Sequence, residues 1–129
     1  MASDAGSPSA GPAASGDFAG LVDVGGHQVH LECHGSGSPT VILQSGYPNA
    51  GDIWTVAEAH PPPVAEGLAE LTRVCSNDRP GSLRSTDDRG QQVSQPLPGR
   101  SQTVPGPRTG AEVVAALHDL LATAGVPNP

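Results

Sequence analysis

Residues Thr40-Val41-Ile42-Leu43-Gln44-Ser45-Gly46-Tyr47 decide the fold, because they join an apolar, β-branched run to a glycine-containing loop. The continuous run over 40–44 is typical of a strand that is buried on both faces, as in a parallel sheet. The residues from Ser45 to Gly51 are rich in turn formers, which predicts a loop at the carboxyl end of that strand.

A β-hairpin is predicted before this strand. The strand-like segments 21–24 and 27–33 flank Gly25-Gly26, a two-residue turn signal. Every second residue from Val29 to Cys33 is apolar, which predicts one face against a core and one face toward water. The preceding residues, 1–18, are mostly Ser, Ala, Gly, Pro and Asp. They bury too little apolar surface to offset chain entropy and predict a disordered tail, with a linker or propeptide remnant as the alternative.

The segment after the apolar strand predicts a short helix and a further strand. Pro63 can begin a helix whose apolar stripe consists of Val64, Leu68 and Leu71. Residues 73–76 have the composition of the next strand. From 82 to 108 the chain is polar and interrupted by Gly and Pro, which predicts a long loop.

The last predicted element is an amphipathic helix with a signal at each end. Thr109 and Glu112 have the spacing of a capping box. Val113 and Leu120 belong to an apolar face with a period of 3.6 residues. Gly125 suits the left-handed residue that ends a helix, and a proline follows two positions later.

This order of elements resembles the N-terminal part of an α/β-hydrolase, and among these the bacterial hydrolases with a Cys-x-x-Asp-Arg-Pro-Gly loop. The matching motifs extend over about residues 20–127. They are Leu31 to Leu43, Ser45-Gly46-Tyr47 with Trp54, Thr72-Arg73-Val74-Cys75, Asp78-Arg79-Pro80-Gly81, and Pro107-Arg108-Thr109 with Leu117-His118-Asp119-Leu120-Leu121. The resemblance implies a partial α/β-hydrolase fold over residues 19–129. Its class is α/β, with an N-terminal β-hairpin, a mostly parallel sheet and flanking helices.

The same resemblance implies roles for two loops. The backbone N–H of Tyr47, directly after Gly46, would be one of the two donors of an oxyanion hole, which stabilises developing negative charge. The simpler alternative is that these residues only form a turn. Asp78, Arg79 and Gly81 would shape the neighbouring loop through buried polar contacts.

The residues of a catalytic triad are missing from this chain. A nucleophile elbow needs the pattern G-x-S-x-G, which the sequence does not contain. In the family the acid and the histidine follow the elbow, so His118 is not a triad histidine. We expect a chain that is truncated before the catalytic serine and inactive alone. By this resemblance, the complete members of the family are serine hydrolases that act on small-molecule ester or amide substrates. The alternative is a non-enzymatic binding or assembly subunit.

Composition and charge exclude several kinds of partner. The formal net charge is −7, with six Arg and no Lys, which argues against nucleic acid and anionic membrane surfaces. No segment approaches the roughly 20 apolar residues of a membrane span. No signal peptide is visible, so we expect a cytoplasmic protein, or an exported one whose signal is absent from this chain. No cofactor is predicted. Zinc at His27, His30, Cys33 and His34 is disfavoured, because Cys33 and His34 alternate across a strand.

The strand order of the family carries two further expectations. It places strand 27–33 beside strand 73–76, so Cys33 and Cys75 would be neighbours, either bridged in an exported protein or present as buried thiols. It also places strand 40–44 beside the nucleophile-bearing strand, which this chain lacks. We therefore expect an open apolar edge and self-association through it.

Overall fold

The computed structural model describes residues 11–56, 63–105 and 108–127. Its elements, in chain order, are β1 (Phe18–Val24), β2 (His27–His34), β3 (Val41–Leu43), a 3₁₀-helix (Gly51–Trp54), α1 (Val64–Ala69), β4 (Val74–Asn77), β5 (Leu83–Thr86), β6 (Gln92–Pro98) and α2 (Gly110–Ala124). The main sheet has the order β1-β2-β4-β3, and β5 and β6 form a second, two-stranded sheet. Helix α2 packs against β1, and α1 packs against β2 and β4.

The predicted hairpin is formed by β1 and β2. Gly25 and Gly26 make its turn with φ angles of 64° and 99°, which favour glycine. The register pairs Val22 with Val29, and both are buried. Along β2, buried residues alternate with half-buried ones, as the sequence pattern predicts. This hairpin supplies much of the apolar core beneath α2.

Strand β4 lies antiparallel to β2 with Cys33 directly opposite Cys75. Their Cα atoms are 4.1 Å apart and their sulfurs form a disulfide. Both residues are almost completely buried. The prediction that these cysteines are neighbours is confirmed, and of the two states that the sequence left open the structure has the bridge.

Strand β3 pairs in parallel with β4 and is the only parallel partner among the described strands. It is shorter than the predicted strand over 40–44, and its three residues are half-buried. The side chains of β3 are therefore less buried than predicted for a strand that is covered on both faces. The physical reason is that, within the described residues, β3 has a neighbouring strand on one side only, so water reaches its side chains from the other side.

Helix α2 has both predicted end signals. Thr109 Oγ1 accepts a hydrogen bond from Glu112 N at 3.1 Å, and Glu112 Oε1 accepts one from Thr109 N at 2.8 Å. Gly125 ends the helix in the left-handed conformation. Leu120 and Ala124 are buried on the face that packs on the sheet. In the described ranges neither α2 nor any other helix is long and apolar enough to cross a membrane.

The short helix α1 differs from its prediction in the face that it buries. Pro63 is its N-cap residue. Of the predicted stripe, Val64 and Leu71 are exposed and Leu68 is half-buried, whereas Ala65 is buried. A six-residue helix presents little more than one turn to the sheet, so its contacts, and not its hydrophobic pattern, decide the buried residue.

The second half of the predicted disordered tail is packed. Ala13 is completely buried, and its N–H donates to Ala124 O at 2.9 Å at the end of α2. A Cβ atom on Gly11 would collide with the same carbonyl group, so small residues permit this close approach. Within the predicted tail of residues 1–18, Ala13 thus has a packed position, and residues 1–10 lie outside the described part of the chain.

The predicted long loop over 82–108 contains the β5–β6 hairpin. The prediction failed because these strands are polar and β6 contains prolines, so no alternating apolar pattern marks them. The turn is instead held by Asp87, whose Oδ1 accepts hydrogen bonds from Arg89 N at 2.9 Å and Gln91 N at 3.0 Å. Residues 106–107 lie outside the described part.

Candidate functional site

Two loops meet at one end of the main sheet, because β3 and β4 are parallel and their carboxyl ends point the same way. We name them the β3 loop (residues 44–50) and the β4 loop (residues 78–82). Backbone hydrogen bonds join them at the start of β5. Leu83 N donates to Pro48 O at 2.8 Å, and Ala50 N donates to Leu83 O at 2.8 Å. These bonds attach the β3 loop to Leu83, the first residue of β5, which directly follows the β4 loop.

Asp78 lies at the centre of this region and is completely buried. One of its oxygens accepts from Gly51 N at 2.9 Å. The Arg100 guanidinium donates to both oxygens at 2.7 and 2.8 Å. Burial alone would raise the pKa of Asp78, but the bonds and charge of Arg100 hold it below its usual value. Gly51 has no room for a side chain, since a Cβ would lie 2.8 Å from Asn77 O.

Arg79 connects the β4 loop to the β3 loop. Its Nη2 donates to Ser45 O at 3.0 Å. Its carbonyl oxygen accepts from Ser82 N at 3.0 Å, which closes the β4 loop as a turn in which Gly81 has a φ of 84°. Ser45 Oγ donates to Ala50 O at 2.9 Å. The β3 loop is thus held by the bond from Arg79 on the β4 loop and by its own internal bond from Ser45 to Ala50.

Gly46 and Tyr47 form the exposed tip of the β3 loop. The Tyr47 side chain is 90% exposed, and Gly46 is exposed as well. The Gly46 carbonyl group accepts from Asn49 N at 2.8 Å, which gives the tip a turn conformation. Neither Gly46 N nor Tyr47 N donates a hydrogen bond to any residue that the structure describes. The Tyr47 N–H therefore has no acceptor among the described residues.

Asp52 is a buried residue that the sequence did not single out. Its Oδ2 accepts from Ser85 N at 2.9 Å, Thr86 N at 2.8 Å and Thr86 Oγ1 at 2.7 Å. These bonds attach the 3₁₀-helix to β5 and so support the β3 loop from below. No local pattern could have identified Asp52, because its partners lie 33 and 34 residues further along the chain.

His30, Glu32 and His34 on β2 form a charged cluster with Arg100. Glu32 lies 2.8 Å from His34 Nε2, 3.5 Å from His30 Nε2 and 3.6 Å from Arg100 Nη1. Hydrogen bonds from His30 and His34 and the charge of Arg100 outweigh burial and lower the pKa of Glu32 to about 2. For His34, burial is opposed by Glu32 and by the carboxylate of Asp17, and the pKa of His34 is raised.

The histidines and cysteines do not assemble a metal site in the described ranges, where no three His, Cys, Asp or Glu side chains are grouped to hold an ion. Cys33 is in the disulfide. His118 is exposed on α2, on the side away from the buried face.

The chain matches no protein-family profile and, by sequence, no curated protein. Among solved structures it is similar to the haloalkane dehalogenase DatA from Agrobacterium tumefaciens C58. The identity is 24% and the TM-score is 0.50, with 86% of this chain and 31% of that chain covered. This chain has a partial α/β-hydrolase fold. It is also similar to the epoxide hydrolase CorEH without ligand, with 23% identity, a TM-score of 0.49, and 81% and 29% of the two chains covered.

The partial α/β-hydrolase fold confirms the predicted fold class. At these identities the likeness concerns the fold alone. The chain spans less than a third of the length of either structure. Within this fold, Arg79 binds Ser45 on the β3 loop, and the neighbouring Asp78 binds Arg100 and the N–H of Gly51, directly after that loop.

Proposed function

We propose that residues 19–129 are the N-terminal part of an α/β-hydrolase domain of the serine-hydrolase type, acting on small ester-like substrates. In this proposal the Tyr47 N–H donates one hydrogen bond to the oxyanion, next to Gly46. The observation that carries it is an unbonded amide at the tip of a loop that Arg79 and Leu83 hold in place. Preorganised donors of this kind stabilise charge without reorganising during the reaction. Asp78, Arg79 and Gly81 act as the structural support of this donor.

The chain alone is expected to be inactive, because its sequence holds no G-x-S-x-G nucleophile elbow. One amide donor cannot replace a nucleophile and its base. The first test is incubation of the purified chain with p-nitrophenyl acetate and a fluorophosphonate probe. We expect no p-nitrophenol burst and no covalent label. A burst with stoichiometric labelling would show that the chain contains its own nucleophile.

The oxyanion role needs a protein that carries the nucleophile. If the coding sequence beyond Pro129 encodes a G-x-S-x-G motif, Tyr47→Pro in the longer protein removes the N–H donor. We expect kcat to fall about 10²–10³-fold. Tyr47→Phe keeps the N–H and should retain activity. Equal kcat of the two variants, with the folding of both verified, would contradict the oxyanion role, because Tyr47→Pro removes the N–H donor and Tyr47→Phe keeps it.

The second candidate function is that of a binding or assembly subunit, and the edge of β3 favours it. Val41, Ile42 and Leu43 are apolar, and in the described residues no strand pairs with their outer side. An uncharged open edge is a template for pairing with another chain. We expect self-association, measured as concentration-dependent mass in light scattering. Strong hydrogen-exchange protection of 41–43 in a verified monomer would mean that the edge is already covered.

A further inference from the structure

The N-terminal segment, residues 11–17, contacts the corner at which β2 ends. Asp17 Oδ1 accepts a hydrogen bond from Gly35 N at 3.0 Å, and Asp17 Oδ2 lies 3.7 Å from His34 Nδ1. Strands β2 and β4 are antiparallel, and His34 is opposite Val74 at the start of β4. This corner is therefore at the other end of the main sheet from the β3 and β4 loops, and its contacts do not depend on the proposed oxyanion site.

Each ring nitrogen of His34 faces a carboxylate. Nε2 lies 2.8 Å from Glu32 Oε2, and Nδ1 lies 3.7 Å from Asp17 Oδ2. A neutral imidazole has one N–H, whereas an imidazolium has two. Only the charged ring therefore presents a proton to both carboxylates, and a neutral ring turns a lone pair toward one of them.

Other ionisable side chains lie around this contact on the neighbouring elements. They are Glu66 on α1, His30 on β2, Arg73 before β4 and Arg100 before α2. Glu66 lines one cavity with His34, whereas Arg100 faces the other oxygen of Glu32 at 3.6 Å. Burial lowers the pKa of His34, but Glu32 and Asp17 raise it by more, so the pKa lies above its usual value.

Gly35 is the fixed side of this contact, and Asp17 is the side that can move. Gly35 has a φ of 85°, and a Cβ atom there would lie 2.6 Å from Thr72 O. The Asp17 side chain is 72% exposed. Directly before it, Gly16 O accepts from Arg73 Nε at 3.2 Å and from Nη2 at 2.9 Å. Arg73 keeps its charge where histidine titrates, so an opening of the contact is confined to Asp17.

We propose that His34 is a proton-dependent latch that fastens the N-terminal segment to the end of β2. As an imidazolium, His34 attracts Asp17 and so holds Asp17 Oδ1 on Gly35 N. When the ring loses a proton, Asp17 is the more distant and more exposed of the two carboxylates, and it turns into water and releases the Gly35 N–H. The latch is closed below the folded pKa of His34 and opens as the pH rises through that value.

The test follows the solvent exchange of single backbone amides in the ¹⁵N-labelled chain by NMR, from about pH 5 to about pH 9. Each rate is divided by the intrinsic exchange rate at that pH to give a protection factor. We expect the protection of Gly35 N–H to fall about 2- to 5-fold as His34 loses its proton, the range for an exposed ion pair. Ala13 N–H, which donates to Ala124 O, should keep its protection. A pH-independent protection of Gly35, or an equal fall at Ala13 that reports general loosening, would overturn the proposal.

Two variants identify the groups of the latch. Asp17→Asn keeps an oxygen that accepts from Gly35 N but removes the charge, so the protection of Gly35 should no longer depend on pH. The pKa of His34, read from its ring-proton shift, should be lower in this variant than in the original chain, because the coupling is reciprocal. His34→Gln has no titrating ring and should also lose the dependence. The matched control His27→Gln, at the other end of the same strand, should behave as the original chain does. The original pH dependence in either Asp17→Asn or His34→Gln would refute the latch.

Discussion

Reduction of the Cys33–Cys75 bridge should lower the free energy of unfolding by about 4 kcal/mol. The two cysteines are separated by 42 residues. The chain-entropy relation for a loop of that length gives about 13 cal/mol/K, which is about 4 kcal/mol at 25 °C. Single domains are stable by roughly 5–15 kcal/mol, so the reduced chain would retain a small margin or none.

The measurement is urea unfolding followed by far-ultraviolet circular dichroism, with and without a phosphine reductant. Since both cysteines are buried, the reduced sample is prepared by reduction in urea and then refolded. With an m-value of about 1.5 kcal/mol/M, the midpoint should fall by about 2.7 M. The matched control is Cys33→Val with Cys75→Val, which should unfold near the reduced midpoint and show no response to the reductant.

Two results would refute this reasoning. Two free thiols, titrated in the unfolded and unreduced chain, would mean that the neighbouring cysteines are not bridged. Equal midpoints for the oxidised and reduced chains, with the bridge verified by mass, would mean that closing this loop does not restrict the unfolded ensemble as the entropy relation requires.

The remaining predictions concern the helix cap and the charged cluster. Thr109→Ala should destabilise the chain by about 1 kcal/mol, and Glu112→Ala should add less to it than its own single effect because both residues belong to one capping box. Full additivity in thermal melts would contradict that cap. The folded pKa of Glu32 is lowered from 4.5 to about 2, so its stabilisation is present above pH 4.5 and lost as the pH falls toward 2. The folded pKa of His34 is raised from 6.5, so its stabilisation is present below pH 6.5 and lost as the pH rises through the folded value. As the pH is raised from 2 to 8, the urea midpoint should therefore first rise and then fall. Glu32→Gln should weaken both the rise and the fall. A Glu32→Gln variant with the same dependence of midpoint on pH as the original chain would exclude this cluster as the cause.

Elements with strong local signals were predictable from the sequence. The capping box and Gly125 fix α2 within a few residues, and the glycine pair fixes the β1–β2 turn. The β5–β6 hairpin was not predictable, because its strands are polar and no alternating apolar pattern marks them. Asp52 receives its hydrogen bonds from β5, up to 34 residues later in the chain.

The residues of the candidate site were also predictable only in part. The resemblance of short motifs singled out Gly46, Tyr47, Asp78 and Arg79, which lie on loops directly after strands. The partner of Asp78 was not predictable, since Arg100 follows 22 residues later in a segment of Pro, Gly and polar residues. A motif identifies a residue and its neighbours in sequence, whereas the partner of a buried charge depends on how the chain folds back.

The unpaired edge of β3 connects the two proposed functions, and the segment after it holds three buried atoms that lack partners. Gln44 Oε1, Asp52 Oδ1 and Trp54 Nε1 have no hydrogen-bond partner in the described part of the chain. Each unmade bond costs about 1–3 kcal/mol, and the outer edge of β3 has no neighbouring strand among the described residues. Both proposed functions need a strand at this edge. The two functions therefore differ in which polypeptide supplies that strand: in a hydrolase it belongs to the same chain and brings the nucleophile, whereas in an assembly it comes from another chain and association should raise the unfolding midpoint with protein concentration.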